Sequence, residues 1–207
     1  NNVLEVPECV INVVTYSMVH QTSLASSPFD KSINEFVKAG FTPVASELVR
    51  PFRVKESPVQ LECKVIEIKE LGKLGGAGNL VICEIIRIHI DESVLNEQNN
   101  IDTKKIDLVA RMGDNWYCRA AGDALFEVQK PITSIGIGID NMPETVRNSK
   151  VLTGNNLGLL GSVEKLPTAE EIAEFKKTMQ PFKNADDQHR YAQSLLEANR
   201  VKEAWMT

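Results

Sequence analysis

Residues 105–120 read KIDLVARMGDNWYCRA and place a guanidinium, Arg111, an amide, Asn115, and two adjacent rings, Trp116 and Tyr117, around a Met-Gly-Asp turn. Arginine pairs with phosphate or an anionic ring oxygen, an amide donates to a polar ring edge, and an aromatic ring stacks on a flat ligand. The same residues also suit ring packing and a surface ion pair, so the loop is either a pocket wall or an ordinary turn. A second polar group lies in HQTSLASS, where Gln21, Thr22, Ser23 and Ser26 fall at an expected helix start. Such a place suits a phosphate or a polar ring edge, and equally simple capping. Asn79, beside Gly78, can face a ligand or merely serve a hairpin turn. His89, on a strand face, reads as a structural histidine. The sequence shows no Ser/His/Asp set, P-loop or G-x-G-x-x-G, so no catalytic acid, base or nucleophile is assigned.

The composition narrows the partners. The chain has 207 residues and a net charge of -5. A pI near 5.3 works against a hold on nucleic acid, which needs a basic footprint. No apolar run approaches the roughly 20 residues that span a bilayer. Small molecules or proteins are the expected partners, and no membrane or nucleic acid. Cys9, Cys63, Cys83 and Cys118 form no C-x-x-C pair and His20, His89 and His189 are dispersed, which argues against a metal site. Cys9, Cys63 and Cys83 sit in strand-like runs, so reduced, buried thiols and a cytoplasmic setting are expected. The first residue is Asn, so the sequence looks like a fragment or a processed product.

The elements that must position these groups follow from periodicity. ECVINVVTY, residues 8–16, suits a buried strand. Residues 17–40 predict two short helices broken near Pro28 and ended by Gly40. Residues 41–58 carry three prolines and read as an extended connection. Two long strands follow, over 59–71 and 79–91. In the first, Leu61, Cys63 and Val65 hold one phase and Ile66 and Ile68 the other; in the second, Val81, Cys83 and Ile85 give way to Ile86, Ile88 and Ile90. A hairpin centred on Gly75 and Gly76 sets Val65 against Ile86 and Ile66 against Ile85, so the slips coincide, as a sheet curling into a small barrel requires. DALFEVQKP reads as a last short strand. Residues 131–167 read as an ordered arm rather than a separate core. Thr168 and Glu171 form a capping box before a helix, and a second amphipathic helix is expected over 185–205.

The succession FVKAGFTPVASELVRPFRVKESPVQLECKVIEI, GAGNLVICEIIRIHID and KIDLVARMGDNWYCRA resembles the flavin reductase-like, FMN-binding split-barrel family. The resemblance covers residues 1–130. It implies an α+β fold, mainly β with helices: an antiparallel FMN-binding split barrel over 1–130, N-terminally incomplete, followed by an arm and two helices over 131–207. The family domain normally begins with further strands before NNVLEVPECVINVV, which are expected to be missing here. Asp114 stands where the family has a second glycine. The resemblance further implies FMN as cofactor and NADH or NADPH as electron donor. The function implied is that of an NAD(P)H:flavin reductase-like oxidoreductase, a homodimer with flavin at the subunit interface. It makes Arg111, Asn115, Trp116, Tyr117, Gln21, Thr22, Ser23, Ser26 and Asn79 candidate cofactor contacts. The alternative is a non-catalytic truncated barrel module serving dimerisation or protein interaction.

Overall fold

A computed structural model describes residues 2–72, 78–128, 130, 134–177 and 179–207. The chain divides into two compact units, Asn1–Glu127 and Val128–Thr207.

The first unit begins with a short helix α1 (Asn2–Glu5) and strand β1 (Glu8–Asn12). A 3-10 turn (Tyr16–Met18), α2 (Val19–Ala25) and α3 (Glu35–Ala39) come next. Gly40 ends α3 in the left-handed region at φ 68°, a conformation without penalty for glycine. The proline-rich connection is extended and holds only the two-residue strands β2 (Pro43–Val44) and β3 (Arg53–Val54). Strands β4 (Val59–Glu70) and β5 (Asn79–Ile90) form the expected hairpin, with sheet order β1-β4-β5 and antiparallel pairing throughout. A separate hairpin pairs β6 (Leu108–Gly113) with β7 (Trp116–Ala120).

Both phase slips are real, but they are not opposite each other. Pairing jumps from Glu62↔Arg87 to Cys63↔Ile85, leaving Ile86 as an extra residue on β5. It jumps again from Val65↔Cys83 to Glu67↔Ile82, leaving Ile66 extra on β4. Each isoleucine is therefore a bulge. The expected pairs Val65 with Ile86 and Ile66 with Ile85 do not form: outside the two bulges, as in Glu62↔Arg87 and Glu67↔Ile82, the strands pair two residues out of the expected register, and each slip is accommodated on its own strand. Gly75 and Gly76 lie outside the described residues. Among the described residues the strands form three separate open sheets rather than a closed barrel.

The two faces of β4 explain why the proline-rich segment is ordered. On one face Val59 and Leu61 pack with Val94, Ile106, Val13 and Leu108. On the other, the carboxylate of the fully buried Glu62 accepts the backbone N–H groups of Glu47 and Leu48 at 2.8 and 2.7 Å. It also pairs with His89 Nε2 at 2.7 Å, so His89 is structural. Burial alone would push the Glu62 carboxyl up, yet the two N–H groups and His89 bring it down to about 2. Gln60 adds to the tether by donating to Val54 O and Ser57 O and accepting from Arg53 Nη1. The thiols are free: Cys63 is buried, whereas Cys9 and Cys83 are only half-buried and Cys118 is exposed. The Cys9 and Cys83 sulfurs lie 3.7 Å apart, and burial, then Cys83, pushes the Cys9 thiol up to about 12.

The described residues of DALFEVQKP form no strand: Gly122–Ala124 is a 3-10 turn, and residues 125–128 pair with no strand. The second unit is helical: α4 (Glu144–Arg147), α5 (Gly154–Gly161), α6 (Ala169–Lys176), α7 (Ala185–Glu197) and α8 (Val201–Met206). The segment expected to be an arm instead supplies core. Met142, Leu152 and Leu160 pack with Ala192, Leu195, Leu196 and Ala204. Gly136 allows the close approach behind this, since a Cβ there would stand 2.3 Å from Gly161 O. The Thr168–Glu171 capping box forms as expected. The last helix is split, because Asn199 takes φ 58° and its N–H, with that of Arg200, closes α7 on Leu196 O and Leu195 O. Among the described residues no helix is long and apolar enough to cross a membrane.

Candidate functional site

The opening loop becomes the β6–β7 hairpin, and its position depends on what precedes it. Thr15 bridges to Leu108, and the Tyr16 N–H donates to Asp107 O at 2.9 Å. The 3-10 turn and α2 are thereby held beside the hairpin. Asp107, at φ 52°, turns its carboxylate to accept from Arg119 Nε and Nη2 at 2.7 and 2.8 Å. Arg119 holds the Asp107 carboxyl below its ordinary range. The same guanidinium lies 3.9 Å from the centre of the Tyr16 ring, a cation–π contact.

Between these elements is a cavity of about 320 Å³. Tyr16, Val19, His20 and Ser23 form one side; Val109, Arg111, Asn115, Tyr117, Cys118 and Arg119 form the other. Arg111 is set by direct pairing with Tyr117 across the hairpin. It donates Nη1 to the Tyr117 hydroxyl at 3.0 Å and Nη2 to Asp114 O at 2.5 Å. Asp114 sits at the turn with φ 46°. Asp is one of the few side chains that tolerate this region, which accounts for its standing where the family has glycine.

The electrostatics are uneven. Arg119 is balanced by Asp107, while Arg111 has no carboxylate partner among the described residues. The side chains of His20, Ser23 and Asn115 likewise have no hydrogen-bond partner among them. The cavity thus offers one uncompensated positive charge, two phenol rings and three unspent polar groups. This set fits a planar anionic molecule with polar edges. Arg111, Asn115, Ser23 and the two tyrosines can hold and orient such a molecule.

Four of the sequence-derived candidates meet here: Arg111, Asn115, Tyr117 and Ser23. The others are placed elsewhere. Gln21 donates to Ala39 O and Gly40 O at the end of α3. Thr22 donates to Met18 O and Ser26 to Ser23 O. Gln21 and Thr22 lie in the first turn of α2, near the expected helix start, whereas Ser23 lies beyond it and Ser26 is the C-cap, an end that does not favour an anion. Trp116 is 75% exposed and does not line the cavity. Asn79 opens β5 opposite Glu70. Tyr16, His20 and Arg119 were missed. For Arg119 a signal existed, since residues two apart on a strand share a face and Arg119 follows Tyr117 at that spacing.

The chain is similar to several known proteins. It is 29% identical over 127 residues to an uncharacterised protein of Aquifex aeolicus, covering 61% of this chain and 63% of that one. Two Bacillaceae relatives are matched over 54% of their length, so the chain spans roughly half to under two thirds of the curated relatives. Among solved structures, a Shewanella frigidimarina protein described as a candidate flavin reductase with a split barrel domain superposes with TM-score 0.54 at 29% identity, covering 62% and 63% of the two chains. Nitrilotriacetate monooxygenase component B from Bacillus cereus superposes with TM-score 0.55 at 24% identity over 61% and 62%, a likeness of fold alone. The split-barrel architecture is thus shared with these structures. The family described as "Flavin reductase like domain" matches residues 1–106, a stretch that contains the Tyr16–Ser23 side of the cavity and ends before β6. On that match the chain belongs to the flavin reductase-like family.

Proposed function

We propose that the cavity between α2 and the β6–β7 hairpin holds FMN, and that the protein is an NAD(P)H:flavin reductase-like oxidoreductase. The observation that carries this reading is the meeting of Ser23, Arg111, Asn115 and Tyr117, from segments about ninety residues apart, in one cavity. Flavin would supply the hydride-accepting ring; the protein needs only to hold and orient it. Arg111, pre-set by Tyr117 and Asp114 O, meets the anionic part. Tyr16 and Tyr117 flank the flat part, and Ser23, Asn115 and His20 address its polar edges. Arg119, clamped by Asp107, holds Tyr16 in position rather than binding charge itself. NADH or NADPH is the donor proposed.

The protein is also proposed to work as a homodimer, since β5 leaves Ile82, Ile85, Ile88 and Ile90 between 39 and 53% exposed on an edge strand. Four free cysteines fit a reducing, cytoplasmic setting. Titration of the full chain into FMN, followed by flavin fluorescence, tests the reading. Saturable binding that is weakened in Arg111→Ala supports it, and no binding defeats it.

A further inference from the structure

The helical unit contains a cavity of about 260 Å³ that the flavin reading does not use. Leu152, Leu160, Ile172 and Trp205 are among its apolar walls, and Gln188 and His189 add polar groups. Their hydrogen bonds show what the cavity presents. Ser149 Oγ accepts from the backbone N–H groups of Val151 and Leu152, each at 3.1 Å. Both lone pairs are then used, so the Ser149 hydroxyl donates to His189 Nδ1 at 2.7 Å. This network assigns the proton of the neutral imidazole to Nε2, the other ring nitrogen, where no described residue accepts it. The Gln188 side-chain amide also has no partner among the described residues. The Trp205 indole N–H, by contrast, is spent on Leu160 O at 2.9 Å.

An apolar cavity with a few unspent polar groups is the usual form of a small-molecule site, and this one falls just below the roughly 300–1,000 Å³ typical of drug-sized ligands. Among the described residues the lining contains no Lys or Arg, so an anion there would lose its hydration without a counter-charge. We propose that this cavity binds a small neutral carbonyl compound with an aromatic or branched apolar body, its oxygen accepting from His189 Nε2–H and the Gln188 amide. The proposal is independent of the flavin site.

The test uses the full chain, with nuclear magnetic resonance shifts of the Trp205 indole N–H and the Leu152 and Ile172 methyls as readout. Acetophenone is the probe, ethylbenzene the matched body without oxygen, and benzoate the charged analogue. Saturable shifts are expected with acetophenone, with affinity at least about tenfold above ethylbenzene and above benzoate, as the hydrogen bonds to its oxygen and the unmatched charge of benzoate imply. His189→Phe should reduce the preference for acetophenone over ethylbenzene, and His189→Phe with Gln188→Leu should erase it. Ile172→Trp, or Leu166→Trp if that variant fails to fold, should abolish the shifts by filling the space. Equal affinity for ethylbenzene, shifts that persist in the filled variant, or the same resonances moving on simple dilution, which would mean a second copy occupies the cavity, would each overturn the proposal.

Discussion

In Asn1–Glu127 the most completely shielded side chains are Glu62, Cys63 and Ser57, while in Val128–Thr207 they include Leu160, Ala192, Leu195 and Leu196, each at 2 or 3% exposure. The first unit is organised around a carboxylate that gathers backbone N–H groups from a proline-rich segment, and it leaves the isoleucines of β5 in contact with solvent. The second closes on its own apolar side chains. The difference shows two ways of ordering irregular chain. A buried acceptor fixes a segment with few apolar contacts by satisfying its backbone donors, whereas a helical cluster fixes its connections by volume. It follows that the two units should fail to different substitutions.

The largest effect is expected in the second unit. Leu160→Ala should cost about 2–5 kcal/mol, since it leaves a cavity in a packed cluster; chemical denaturation followed through Trp205 measures it. Somewhat less, about 1–3 kcal/mol, is expected for Glu62→Gln, which keeps the shape but loses the charge that the Glu47 and Leu48 N–H groups and His89 satisfy. Faster amide exchange over residues 45–50 would locate the loss. The acid response should divide the units in the same way. The Glu62 carboxyl is depressed from its ordinary 4.5 to about 2. Its contribution is therefore full above pH 4.5 and fades as pH falls toward 2, so wild-type stability should drop in that window and Glu62→Gln should flatten the slope. The smallest effect on folding is expected for Ile85→Lys, on a half-exposed position of β5. It should leave the melting temperature nearly unchanged while converting a dimer to monomer by sedimentation; a wild-type monomer at micromolar concentration would end the dimer proposal.

The strands of the β4–β5 hairpin were legible in the sequence because alternation is a direct record of a pleated strand, and the phase breaks marked Ile66 and Ile86 correctly as irregular. The pairing was not legible, since alternation records each strand but not the residues at which the turn between them is centred, and outside the two bulges the strands pair two residues out of the expected register. The core of the second unit was hidden for another reason. Met142, Leu152 and Leu160 lie far apart among Gly and Asn residues and acquire a common face only after folding. The β6–β7 residues that line the candidate cavity were singled out by residue type, but Tyr16 and His20 reach it through the Thr15–Leu108 bridge, a long-range contact that no local pattern encodes. The hydroxyls of Thr22 and Ser26 looked equally chemical and are spent on their own helix, the ordinary competition between side chain and backbone.

Equilibrium titration of FMN against the wild-type chain and Arg111→Ala tests most directly the proposal that the Arg111 cavity holds flavin. Saturable quenching of flavin fluorescence is predicted for the wild type, with affinity falling by about 1.5–3 kcal/mol in the variant, the range of a charge-assisted hydrogen bond, and with little change in flavin-free thermal stability. FMN binding that is identical in the two proteins, or absent from both, would contradict it.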